Sequence, residues 1–268
     1  MIRGHLFLFV LALAVATACA PAASPTSGAL SGTVVDLSHE YSDQAIFWPT
    51  AEGFRLDKVA DGMTPQGYYY AANNFAGAEH GGTHLDAPVH FAQGRWSVEQ
   101  IPLEQLMGDV AVVDVSTACA SQPDYQVSVG DLTAWEKAHG SLDGTIVLVR
   151  TDYSKRWPDA ARYLGTAERG EGAVAKLHFP GLHPDAAQWL VENRRVKAVG
   201  IDTASIDYGQ STLFETHRLL YARNIPGLEN LTNLDRLPAR GATLVALPMK
   251  IKGGSGAPLR AIAIVPAT

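Results

Sequence analysis

Cysteine is scarce in this sequence, with only Cys19 and Cys119 among 268 residues. Cys19 sits inside an N-terminal processing signature described below, so Cys119 has no partner. No disulfide can then join folded segments, and stability has to come from the core. Charge is also sparse. Only 18% of residues are charged, with 21 basic against 27 acidic residues and a net charge of −6. No basic cluster interrupts this acidic balance, which excludes the electrostatic footprint of a nucleic-acid binder. Apolar runs near membrane-span length are missing outside the extreme N-terminus, which excludes a polytopic membrane protein. What remains is an ordinary globular composition, 47% hydrophobic with 25 Gly and 15 Pro, and the expected partner is a small molecule.

The N-terminus reads as an address. Arg3 supplies a positive charge, Leu6 to Val15 an apolar stretch, and Ala16-Thr17-Ala18 a run of small residues, the layout of a secretory signal over residues 1–18. Export to the periplasm is the expectation. Cys19 follows Ala18 directly and resembles a bacterial lipobox, although Ala16 stands where Leu or Val is usual. Plain cleavage and lipidation at Cys19, giving a membrane-anchored lipoprotein, both stay open. Residues 19–28 then form a flexible tether, and 29–268 the folded domain.

Short β-branched runs recur at Thr33–Leu37, Val110–Val115, Thr145–Arg150, Val196–Ile201, Thr243–Leu247 and Arg260–Val265, each bounded by Gly, Pro, Asp or Ser. Several are continuously apolar, as strands covered on both faces are. Helical spacing appears at Val129–His139 and at Pro184–Arg195, where Ala187, Leu190 and Val191 share a face. The stretch from Tyr208 to Leu237 reads as a short helix followed by loops. Together these predict one α/β domain. Cys119 lacks a nearby His and reads as a buried, incidental thiol rather than a nucleophile.

Three of the nine histidines fall between His80 and His90, in the run His80-Gly81-Gly82-Thr83-His84-Leu85-Asp86-Ala87-Pro88-Val89-His90. Two glycines and Pro88 make a helix improbable there. In an extended segment His84 and Asp86 point to one side, about 6.6 Å apart, within reach of one ion. A straight strand would leave His80 about 20 Å from Asp86, so the chain must turn, and Gly81-Gly82 is where it can. His90 lies beyond Pro88 and is better placed for acid–base work than for ligation. Satisfied loop polar groups would explain one lone histidine, but four metal-competent side chains in so short a window favour a metal site. Nitrogen and oxygen donors without thiolate leave zinc, manganese and iron open.

At every fixed position this window resembles the His-x-Gly-Thr-His-x-Asp-x-Pro-x-His signature of the cyclase-like metal-dependent amidohydrolases, a family that includes kynurenine formamidases and isatin hydrolases. The resemblance extends through Phe47-Trp48-Pro49, Phe179-Pro180-Gly181-Leu182, Gly200-Ile201-Asp202-Thr203, Ser205-Ile206-Asp207, His217, Gly227-Leu228-Glu229-Asn230-Leu231 and Pro258-Leu259-Arg260. It implies a swivelling β/β/α fold, hydrolysis of a non-peptide amide C–N bond and a homo-oligomer, dimer or tetramer. In formamidase-like members it implies two zinc ions on His80, His84, Asp86, His217 and Glu229, with His90 as proton shuttle. In isatin-hydrolase-like members it implies one manganese, held by His80, Asp86 and a Gln that would be Gln210. The run Asp207 to Ser211 and the long Leu237–Leu259 tail favour this second pattern.

The resemblance raises Phe47 and Trp48 as an aromatic wall against a flat substrate ring, where core packing would be the ordinary reading. The run Gly253-Gly254-Ser255-Gly256 lacks the Lys and Ser/Thr of a phosphate loop and reads as a plain loop. The expected mechanism is attack by an ion-activated water on an amide carbonyl, with His90 or His217 carrying the proton. The rivals are an arylformamidase and a non-catalytic tethered binding protein.

Overall fold

Alternate residues of the central strands serve two different cores, which explains why those strands are apolar throughout. The computed structural model describes residues 31–267. The signal at 1–18 and the tether at 19–28 with Cys19 lie outside the described residues. The strands run in chain order as β1 Thr33–Asp36, β2 Arg55–Met63, β3 Tyr69–Ala76, β4 His84–Asp86, β5 Met107–Asp114 and β6 Gln126–Val127. The second half supplies β7 Ile146–Arg150, β8 Gly181–Leu182, β9 Ala198–Ile201, β10 Gly227–Glu229, β11 Arg240–Pro248 and β12 Gly256–Val265.

Eight of these strands form one sheet in the order β1-β12-β11-β5-β7-β9-β10-β4, and β4 also pairs with β12. That extra pairing closes the sheet on itself. β5, β7, β9 and β10 are mutually parallel, while β4, β11 and β12 run antiparallel to their neighbours. Val110, Val112, Ile146 and Leu148 point into the closed sheet, against Leu85, Leu228, Leu244 and Ala263. Ala111, Val113, Val147 and Val149 point outward, against Leu132 and Trp135 of the helix Val129–His139 and against Leu190 of the helix Pro184–Asn193. Each fully buried aliphatic side chain contributes about 1.5–3 kcal/mol relative to exposure, so both faces of the sheet stabilise the fold.

The first helix begins on a reciprocal cap: Ser128 Oγ accepts from the Asp131 amide, and the Asp131 carboxylate accepts from the Ser128 amide at 2.7 Å. The second carries Pro184 in its first turn, where no amide hydrogen is needed. Cys119 is buried in the short helix Ser116–Ser121, and burial pushes its thiol up to about 12, which leaves no thiolate for nucleophilic work.

The six expected strands and both expected helices are present, most with somewhat different ends. The sequence reading did not anticipate the hairpin β2–β3, the short parallel pair β6–β8 or the strand β10. The hairpin β2–β3 has no buried face, so no apolar period announced it. β10 falls within the stretch read as a short helix and loops; the helix there is Glu215–Tyr221, and the three residues Gly227–Glu229 complete the sheet.

Candidate metal centre

The sheet closes at β4, and β4 carries the chemistry. His84 and Asp86 project to one side of this strand, two residues apart. Directly opposite Asp86 stand Gly227 on β10 and Gly256 on β12. A Cβ at Gly227 would lie 2.4 Å from the Tyr221 hydroxyl, and one at Gly256 would lie 2.4 Å from His80 Cε1. The two glycines therefore leave the room through which Tyr221 and His80 reach the Asp86 carboxylate. Tyr221 donates to Asp86 Oδ2 at 2.9 Å, and His80 Nδ1 lies 2.6 Å from Oδ1.

The chain turns at Gly82, whose φ is +57°, and this brings His80 back onto Asp86. Asn230 holds the turn: its side-chain amide donates to the Gly82 carbonyl at 2.8 Å, and its carbonyl oxygen accepts from Tyr163. Gly81 is closed to any side chain because the Phe47 ring lies over it, 2.0 Å from where a Cβ would sit.

His217 comes from the helix Glu215–Tyr221 and Glu229 from β10. His217 Nε2 lies 3.1 Å from Glu229 Oε1 and 3.4 Å from Asp86 Oδ2. Its Nδ1 is 2.5 Å from Asp207 Oδ2, and this carboxylate fixes the ring so that Nε2 faces the cluster. His84 Nδ1 donates to the Gly82 carbonyl at 2.9 Å. Its Nε2, 3.1 Å from Asp86 Oδ1 and 3.4 Å from Glu229 Oε2, is buried and makes no hydrogen bond among the described residues. Such an orphaned nitrogen is costly unless a ligand takes it up.

Ligand atoms of His80, His84 and Asp86 all lie within 4.8 Å of one another, and so do those of Asp86, His217 and Glu229. Asp86 belongs to both sets. The charges fit a cation. Burial alone would lower the His84 imidazole, yet Asp86 and Glu229 push it up to about 9. His217 is likewise held protonated against its burial by Asp207, Asp86 and Glu229, and Asp86 against its burial is held well below the usual carboxylate range by His80, His217 and His84. The pocket thus concentrates negative charge that protons on the imidazoles balance, and a divalent ion can replace those protons. The orphaned Nε2, the two triads and the balance of charge all fit a metal site.

His90 stands in the short turn Pro88–His90, its ring stacked on His80 at 3.8 Å between centroids. With Phe47 and Trp48 it lines a cavity of about 270 Å³ whose floor is the cluster. Phe91 and Phe214 complete the aromatic wall. Gln210 is not there. Its amide donates to the carbonyls of Leu177 and Ala175, because Gly209 packs its backbone against Leu177 and ties the loop to that segment. Gln210, which the sequence resemblance offered as a ligand, therefore does not meet the His80–Asp86 cluster in this structure.

The sequence reading missed Tyr221, Glu79, Ser255, Phe91 and Phe214. Ser255 Oγ lies 2.9 Å from His80 Nε2 and donates to Glu79 at 2.7 Å. The glycine-rich run Gly253–Gly256, read as a plain loop, is thus the seat of His80. Only adjacency to His90 and to the glycine run could have pointed to Phe91 and Ser255.

A family profile described as a putative cyclase matches residues 35–208. The chain belongs to this putative cyclase family. It is 37% identical over 209 residues to an isatin hydrolase of Roseibium aggregatum, covering 75% of this chain and 77% of that protein. It is 31% identical to a kynurenine formamidase of Paracidovorax citrulli, over 70% of this chain and 77% of the relative. Among solved structures, isatin hydrolase A from Ralstonia solanacearum superposes with a TM-score of 0.76 at 35% identity, covering 87% of this chain and 92% of the other. An isatin hydrolase bound to the product analogue thioisatinate gives 0.78 at 33% identity, with the same coverage of 87% and 92%. The α/β cyclase fold implied by the sequence resemblance is thereby shown.

Proposed function

We propose that this protein is a metal-dependent amidohydrolase that opens the C–N bond of a flat cyclic or aryl amide, with isatin as the representative substrate. The observation that carries the reading is the sharing of Asp86 between two ligand triads, at the floor of a cavity walled by Phe47, Trp48, Phe91 and Phe214. The isatin hydrolase relatives, one holding thioisatinate, support the same substrate class.

His80, His84 and Asp86 would hold one divalent ion, and Asp86, His217 and Glu229 a second. Imidazole and carboxylate donors without thiolate suit zinc or manganese. An ion held there supplies Lewis acidity at the substrate carbonyl and lowers the pKa of water from 15.7 toward about 7.

His90 moves the proton. Burial pushes its imidazole down to about 4; the Asp86 charge opposes this, and the neighbouring His80, His217 and His84 add to it. At neutral pH its ring is therefore a free acceptor. Water oxygen bonds to the carbonyl carbon, His90 takes a water proton at a ring nitrogen, and the proton passes to the amide nitrogen as the C–N bond breaks. Proton transfer of this kind contributes about 10²–10⁴ in rate. A cyclic amide leaves as one molecule carrying a carboxylate and an amine. The aromatic wall orients the ring and keeps bulk water out.

Arylformamidase activity is the second reading. The assembled set His80, His84, Asp86, His217 and Glu229, with Gln210 outside it, is the pattern that the sequence resemblance attaches to formamidases, and the 31% relative supports it. The deciding experiment measures metal per chain and hydrolysis of both substrates: loss of isatin's visible absorbance against formate release from N-formylkynurenine. A metal-loaded protein that turns over neither would sink both readings and leave the tethered binding protein. The N-terminal signature supports export as part of this proposal, by cleavage after Ala18 or by lipid anchoring at Cys19, and the mass of the mature chain distinguishes the two.

A further inference from the structure

Residues 202–207 run from the end of β9 along the cavity, and Ala204 and Ser205 form part of its lining. Ser205 is pinned on three sides. Its carbonyl accepts from the Thr203 hydroxyl at 2.9 Å, the following amide of Ile206 donates to Glu229 Oε1 at 2.9 Å, and its Oγ accepts from the Asp207 amide at 3.2 Å. Asp207 in turn holds the His217 ring. Ser205 is thereby fixed on the side of the cluster formed by Glu229 and His217.

A serine hydroxyl both accepts and donates. That of Ser205 accepts, but its hydrogen meets no acceptor among the described residues. The other polar side chains of the cavity are committed. His80, His84, Asp86, His217 and Glu229 form the cluster, His90 serves proton transfer, and Asn230 is spent on the Gly82 carbonyl and the Tyr163 hydroxyl. The rest of the lining is apolar. At 3% exposure Ser205 has little access to bulk water, and a buried donor without an acceptor is costly. A single free donor in an apolar wall is the kind of group that fixes the orientation of a bound ligand.

We infer that Ser205 selects ortho-acyl anilides, its hydroxyl donating to a second carbonyl carried on the ring carbon next to the anilide nitrogen. The inference rests on the amidohydrolase reading proposed above. With the scissile carbonyl at the ions and the ring against the aromatic wall, the amide oxygen is engaged and the ring itself offers no acceptor. An acceptor for Ser205 has to come from a further substituent. Isatin carries a ketone at that ring position, and so does N-formylkynurenine. One hydroxyl therefore recognises the feature that both substrates share, while plain lactams and formanilides leave it unmet.

Metal-loaded wild-type protein and Ser205→Ala are compared on two matched pairs, in each of which the second member lacks the ketone. For isatin and oxindole the reading is the isatin KM against the inhibition constant of oxindole; for 2-formamidoacetophenone and formanilide it is kcat/KM. Wild-type protein should prefer the ketone-bearing member. Ser205→Ala should cut that preference roughly 5–100-fold, mostly through KM, with metal content per chain unchanged. A purely structural role, passed through Asp207 to His217, would instead weaken both members of a pair alike and lower the metal content. That result overturns the inference, and so does a wild-type protein without the preference or a variant that keeps it. A wild-type protein that hydrolyses none of these compounds defeats the amidohydrolase reading and the Ser205 assignment together, whereas hydrolysis with an unaltered preference in Ser205→Ala defeats the assignment alone.

Discussion

Gly256 and His80 share one space: a Cβ at position 256 would stand 2.4 Å from the His80 ring. His80 reaches Asp86 only because the strand opposite Asp86 has no side chain at that point. Gly256→Ala should therefore displace His80 and also press on the Leu85 carbonyl of β4, which would lie 2.8 Å from the added Cβ. The expected outcome is at least a tenfold loss in affinity for zinc or manganese in a competition titration, with some loss of stability from the crowded β4–β12 pairing. Unaltered affinity would show that His80 is not a ligand.

The relay Glu79–Ser255–His80 should tune the same site. The Ser255 hydroxyl donates to Glu79, so its oxygen accepts from Nε2–H of His80 and leaves Nδ1 turned toward Asp86. Outer partners of this kind are worth about 10–100-fold in metal affinity. Ser255→Ala should fall in that range, and Glu79→Gln, which keeps a hydrogen-bond acceptor, should fall less. Equal effects of the two would point to simple loss of packing.

Sharing of Asp86 separates two stoichiometries. Asp86→Ala should abolish ion binding altogether, whereas Glu229→Ala leaves the triad His80, His84 and Asp86 intact. Metal analysis of dialysed protein should read near zero for the first variant and retain one ion for the second. Gln210→Ala should keep the wild-type content, because its amide serves the Leu177 carbonyl. Loss of the ion in Gln210→Ala would restore Gln210 to the ligand set.

Asp202 gives the fold a pH signature away from the metal ligands. Burial pushes its carboxyl from 3.8 up to about 6, against hydrogen bonds from Thr151 and Asp152. The folded state then binds the proton more tightly than the unfolded chain. Its contribution is present below pH 4 and is lost as pH rises toward 6, a fall on the order of 3 kcal/mol. Urea titrations at pH 4 and pH 6 should show Asp202→Asn lacking that part of the slope. Parallel slopes in both proteins would refute the shift.

Much of the fold was legible because burial leaves a period in the sequence. Val110–Val113 and Ile146–Val149 read as strands covered twice, and two cores do cover them. The hairpin β2–β3 buries nothing and left no period. The window His80–His90 was legible for a different reason: close spacing and two glycines confine four donors to a few ångströms. His217 and Glu229 came only from family resemblance, since no local rule links residues that meet through tertiary packing.

By itself the sequence determined the local chemistry: which donors exist, where the backbone can bend, and which strands need cover on both faces. Only the tertiary structure decided who joins them. Closure of the sheet at β4 set Gly227 and Gly256 beside Asp86, seated His80 on Ser255, and left Gln210 outside. Local rules act over a few residues, but a coordination shell is built from strands and helices that are neighbours only in space.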